Sequence, residues 1–97
     1  MTAFVFTDKA VQDLEGIIDF TTEMWGSSQA VKYIDGLEEI GQMLADNPDA
    51  GLNRDELSSG LLSFTYQSHI LYYLKNQFGI TFIRVLHSNM DPVKQLN

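Results

Sequence analysis

The sequence has no cysteine, two prolines and only six lysines and arginines among its 97 residues. Without cysteine there is no disulfide framework and no thiolate metal site. The six basic residues face thirteen Asp and Glu, which gives a formal net charge of −7. That balance works against a bulk nucleic-acid binder, because phosphates need clustered Lys and Arg. No apolar run approaches the length of a membrane span. Met1 leads into Thr2-Ala3-Phe4 without a basic stretch, so no secretory signal is expected and the chain reads as a soluble, cytoplasmic protein. A chain of this length holds one domain, read here as residues 1–97. A barrel of roughly 250 residues does not fit. Composition is ordinary, with 44% hydrophobic and 20% charged residues, so a packed core is expected rather than disorder.

Ala3-Phe4-Val5-Phe6-Thr7 is β-branched and aromatic and reads as a strand. Thr7 or Asp8 then offers an N-cap oxygen. Val11, Leu14, Ile18, Thr21 and Trp25 recur at three and four residues and draw one helical stripe. Gly26 can supply the left-handed residue that ends this helix. Ser27 or Ser28 is the expected cap of a second helix, with Ala30, Tyr33, Ile34, Leu37, Ile40, Gly41 and Leu44 on its apolar face. Asn47-Pro48 stops it. So short a link predicts an antiparallel αα-hairpin.

Residues 47–60 form one long polar connection. Leu61–Tyr66, His69–Leu74 and Ile80–Leu86 then read as strands, with a tight turn at Gln67-Ser68 and a loop over Lys75–Gly79. The tail from Ser88 is expected to hold one helical turn before Pro92 and then fray to Asn97. The fold class is therefore α+β, in the order β-α-α-β-β-β, with the helical hairpin packed on one face of a small, mainly antiparallel sheet. Both side-chain parities of the strands are apolar, as in Ile70, Tyr72 and Leu74 against Leu71 and Tyr73. The second face needs a cover, either the long loop and tail or a partner chain.

Candidate chemistry is sparse. His69 and His87 fall near the same end of the sheet, and Asp91 is the one further ligand type nearby in sequence. Hydrogen-bonded strand-end histidines account for them better than a metal site. Ser63, Ser68 and Ser88 lack the surroundings of a nucleophile. No glycine-rich phosphate loop is present. Arg54 and Arg84 are the only arginines. Arg84, inside an apolar strand, must meet a carboxylate, a wet groove or a ligand. Arg54 is expected to form a loop salt bridge that pins residues 47–60 to the helices. Trp25, at a helix end, reads as core.

Taken together, several motifs resemble the ParE toxins of the RelE/ParE superfamily. They are Asp13-Leu14-Glu15-Gly16-Ile17, Trp25-Gly26, Leu44-Ala45-Asp46-Asn47-Pro48, Arg54-Asp55-Glu56-Leu57, His69-Ile70-Leu71-Tyr72-Tyr73 and Ile83-Arg84-Val85-Leu86-His87 followed by Met90-Asp91-Pro92. The chain departs from that pattern at Leu62, where the family often carries a basic residue. The resemblance implies a toxin of a type II toxin–antitoxin pair, without catalysis or cofactor. It would inhibit DNA gyrase and be neutralised by a ParD-like antitoxin in a hetero-oligomer. It implies neither direct nucleic-acid binding nor a membrane association. Arg54, Leu62, Phe64, Tyr72 and Arg84 are the expected antitoxin contacts, with the arginines gripping carboxylates of an acidic segment. His87, Met90 and Asp91 are the expected target contacts. The competing readings are a RelE-like ribosome-dependent ribonuclease, with Arg84 and His87 at the scissile phosphate, and a non-toxic antitoxin-binding relative.

Overall fold

A computed structural model describes residues 2–96. Strand β1 (Ala3–Phe6) leads into helix α1 (Asp8–Trp25) and helix α2 (Ser27–Asp46). A 3₁₀ turn (Pro48–Ala50) and strand β2 (Leu52–Asn53) follow, then β3 (Leu62–Tyr66), β4 (His69–Asn76), β5 (Gly79–His87) and helix α3 (Pro92–Leu96).

Local chemistry sets the helix ends. Thr7 Oγ1 accepts a hydrogen bond from the Ala10 amide at 3.1 Å and so caps α1. Gly26 stands at φ 93° and ψ 165° between the two helices, a conformation that L side chains rarely adopt. It is the N-cap of α2, which has no side-chain cap, so the caps expected from Ser27 or Ser28 are absent. Both serines have been drawn into the first turn. At the far end the backbone leaves the helix at Asn47, as the following proline requires.

The sheet order is β1-β5-β4-β3-β2. The two hairpins are antiparallel, whereas β1 runs parallel to β5. The parallel β1–β5 pair makes the sheet mixed, and at the opposite edge lies β2, which the sequence did not reveal. This two-residue strand pairs antiparallel with β3 and reverses the chain once more before β3. The β4–β5 turn is tighter than the expected loop, because Asn76 pairs directly with Gly79. The register shifts between Tyr72 and Tyr73, leaving Ile83 as an extra residue in β5.

The main core lies between the helical hairpin and one sheet face, around Leu37, Leu44, Leu71, Tyr73, Ile80 and Phe82. Aromatic rings reach the helices where side chains are missing. A β-carbon on Gly41 would come within 3.1 Å of the Phe4 ring. The other sheet face is covered by the chain itself. Leu57 and Leu61 of the long connection and Leu96 of α3 pack with Tyr72, Leu86 and Ile83. Loop and tail are thus the cover that both-sided apolar strands demanded. The tail does not fray after Pro92. Pro92 opens α3, as suits a residue with no amide to donate, while Asn97 lies outside the described residues. No helix among the described residues is long and apolar enough to cross a membrane.

Candidate partner-binding groove

Strand β1 is four residues long and β5 is nine. Beyond Phe82, β5 therefore loses its neighbour and exposes backbone polar groups that need partners. Two side chains supply them. Thr7 Oγ1 donates to the Ile83 carbonyl at 2.9 Å. Asp13 Oδ2, from α1, accepts from the Val85 amide at 3.0 Å. The same carboxylate holds Arg84, with Nε at 2.7 Å and Nη2 at 3.0 Å. Arg84 Nη1 also donates to the Gln95 carbonyl at 2.6 Å and so ties in α3. The hydrogen bonds to Asp13 raise the Arg84 pKa above its ordinary value; partial burial opposes this, and the Asp13 charge reinforces it.

Past this clasp, α1 and the sheet diverge and leave a groove of about 770 Å³. Its walls come from the second half of α1, the start of α2, the His69 and His87 ends of β4 and β5, and the segment after β5. Gly16 and Ile17 line the α1 side, and Phe20, Trp25 and Met90 stand at its rim. These three are strongly exposed, at 61%, 70% and 47%. Trp25 is thus not core. It closes α1 where no strand lies beneath it. Val11, assigned to the same stripe, is exposed as well.

The inner end of the groove is polar. His69 and His87 are cross-strand partners, their rings 5.6 Å apart and nearly perpendicular. Tyr33 Oη lies 3.2 Å from His69 Nδ1. The Asn89 amide donates to His87 Nδ1 at 3.1 Å, so the neutral ring carries its proton on Nε2. Burial, and then the neighbouring His87, hold His69 below the ordinary histidine pKa. Burial also drives the Tyr33 phenol well above its usual range, with Tyr66 adding to it. Both histidines are the hydrogen-bonded strand-end residues expected. Among the described residues, no three His, Cys, Asp or Glu side chains are placed to hold a metal.

The groove brings together Arg84, His87 and Met90 from the sequence-derived candidates. It leaves the others elsewhere. Asp91 caps the short α3, accepting from the Val93 amide at 3.0 Å. Arg54 belongs to the other sheet face, with Nε on Glu56 at 2.9 Å and its guanidinium 5.9 Å from the Tyr72 ring centre. It pins the loop to the sheet rather than to the helices. Leu62 and Tyr72 are buried, at 8% and 1% exposure, and Phe64 packs half-buried on the main core. In this fold these three support the surface rather than form it. The carboxylate expected for Arg84 is Asp13; sequence reading missed Gly16 and Phe20. A glycine in mid-helix, and Phe20 off the main stripe, were the available signals. Arg84 is marked by its place in an apolar strand, but nothing local marks Asp13 as its partner, 71 residues away.

A helical hairpin on a β1-β5-β4-β3-β2 sheet, with an apolar groove at one end, defines a small α+β protein of the type seen in a solved chromosomal ParDE toxin–antitoxin system from P. aeruginosa. That chain superposes with a TM-score of 0.73 at 21% identity, covering 90% of this chain and 96% of the other. At the sequence level, the family described as "ParE toxin of type II toxin-antitoxin system, parDE" matches residues 4–92. The chain belongs to this ParE toxin family. Relatives include toxin ParE1 of Mycobacterium tuberculosis, 34% identical over 94 residues and 96% of each chain. Toxin ParE of Escherichia coli is 31% identical over 97 residues, covering 99% of this chain and 94% of that one. Toxin ParE1 of Caulobacter vibrioides is 29% identical over 91 residues, 94% of each.

Proposed function

We propose that this chain inhibits DNA gyrase by binding it, catalyses no reaction itself, and is neutralised in the cytoplasm by a ParD-like antitoxin in a hetero-oligomer. Membership of the ParE family over residues 4–92 carries the proposal. The fold likeness to a ParDE system supports an antitoxin of the ParD kind.

The groove supports binding over phosphate chemistry. Cutting RNA needs cations free to stabilise charge developing on the scissile phosphate. Arg84 is the one Lys or Arg among the lining residues, and its three hydrogen bonds go to Asp13 and the Gln95 carbonyl. The Asp13 charge cancels its own. What the groove offers is exposed apolar surface with a few polar points at one end, which suits a protein segment.

Expression of the chain alone should arrest bacterial growth with DNA-damage signalling, and coexpression of its antitoxin should restore growth. In a reconstituted translation reaction, mRNA should stay intact. Site-specific mRNA cleavage that disappears with His87→Ala would overturn the proposal in favour of a ribonuclease.

A further inference from the structure

Three features of the groove contribute little to folding. Gly16 sits in mid-α1, where glycine disfavours the helix relative to alanine. A β-carbon there would meet no atom within 4 Å, so nothing in the fold demands its absence. Its missing side chain leaves a notch in the groove wall. Phe20, one helical turn further on, and Trp25, at the end of α1, line the groove and remain exposed, as apolar side chains at an interaction site do.

The charges around the groove have one sign. Helix α1 carries Asp8, Asp13, Glu15, Asp19 and Glu23 against a single cation, Lys9. Asp13 is neutralised by Arg84. Glu15, Asp19 and Glu23 are exposed. Helical spacing sets Asp19 three residues after Gly16 and Glu23 three after Phe20, along the outer border of the groove. The arginines that could have gripped an acidic partner are engaged already, Arg84 by Asp13 and Arg54 by Glu56.

We propose that the groove seats a cationic, amphipathic segment of the antitoxin. One large apolar side chain enters the Gly16 notch beside Phe20, and Lys or Arg residues on the outer side of the segment meet Glu15, Asp19 and Glu23. An acidic segment would meet like charge along the whole border. A second copy of this chain, at −7, is repelled for the same reason. The identity of the occupant rests on the toxin–antitoxin reading; the sign of its charge does not.

The test uses the full chain and two synthetic amphipathic peptides of about 15 residues, long enough to form a helix on binding. One is built of Leu and Lys, the other of Leu and Glu in the same pattern. Fluorescence anisotropy at about 0.05 M salt, where surface charge is weakly screened, reads their affinity. The Leu/Lys peptide should bind at least about tenfold more tightly than its acidic counterpart. Gly16→Trp fills the notch without changing charge and should weaken binding about tenfold. Asp19→Asn with Glu23→Gln should weaken it about fivefold, while Glu38→Gln with Glu39→Gln, which removes as much charge from α2, should leave it within about twofold. Gly16→Ala should bind as wild type does and confirms that the helix tolerates a side chain. Equal affinity for both peptides overturns the proposal, as does unimpaired binding by Gly16→Trp or an equal loss in the α2 variant. Growth arrest and its rescue by antitoxin are scored separately. Rescue together with Gly16-independent peptide binding rejects the groove and keeps the toxin–antitoxin reading. Gly16-dependent binding without any toxicity or antitoxin effect rejects the antitoxin as occupant.

Discussion

At the residue scale, two glycines of the helical hairpin should answer one substitution with opposite signs. Gly16 faces open space, so Gly16→Ala should raise stability by about 0.5–1 kcal/mol through helix propensity. Gly36 lies against the Tyr66 hydroxyl, which donates to the Tyr33 carbonyl at 2.8 Å. Gly36→Ala must displace that phenol and should cost about 2 kcal/mol. Thermal unfolding separates the two, since each kcal/mol moves the midpoint of a domain this size by roughly 4–8 °C. His69 gives a pH signature. Its folded pKa lies below the ordinary 6.5 because the ring is buried and beside His87. The unfolded chain therefore holds a proton that the folded chain resists. Its contribution to stability is whole above pH 6.5 and is lost as pH falls through the lowered folded value. His69→Gln should flatten the pH dependence of the unfolding midpoint below pH 6.5, and an unchanged slope would contradict this origin.

At the element scale, the Asp13 carboxylate does for β5 what a longer β1 would have done, and in the same place it anchors Arg84. Asp13→Ala should leave a largely buried guanidinium unpaired and cost about 3 kcal/mol. Hydrogen exchange should show the loss first at the Val85 amide, which Asp13 now holds at 3.0 Å. Much of this architecture was legible. The 3.6-residue stripe of α2, the Thr7 cap, the Asn-Pro stop and the Gln67-Ser68 turn are local signals, and each produced the element it predicts. Strand β2 was not legible because two residues carry no periodicity, and the parallel pairing of β1 with β5 was not because it joins strands near opposite ends of the chain. The bulge at Ile83 was hidden too, since a register shift is a property of two strands rather than one. In the site, the facing of His69 and His87 was readable from hairpin symmetry. The groove itself was not. Trp25 and Val11 fit the helical stripe yet stand exposed, because a stripe says which residues share a face and not where the opposing sheet ends.

At the scale of the whole molecule, burial is divided between two sheet faces. The helical hairpin closes one, while loop and tail close the other. Phe20, Trp25 and Met90 are left exposed along the groove. The acidic balance reinforces this division. Lys75 is held by Asp49, Arg54 by Glu56 and Arg84 by Asp13, and the groove lining adds no other Lys or Arg to make the cationic cluster that RNA cleavage requires. This arrangement supports the proposal that the chain acts by contact. The most direct measurement is a supercoiling and DNA-cleavage assay with purified gyrase from the host, with the chain added alone and then with its antitoxin. Binding toxicity predicts loss of supercoiling or trapped cleavage complexes, both relieved by antitoxin. Normal supercoiling at micromolar chain, in a preparation that still binds its antitoxin, would contradict gyrase as the target.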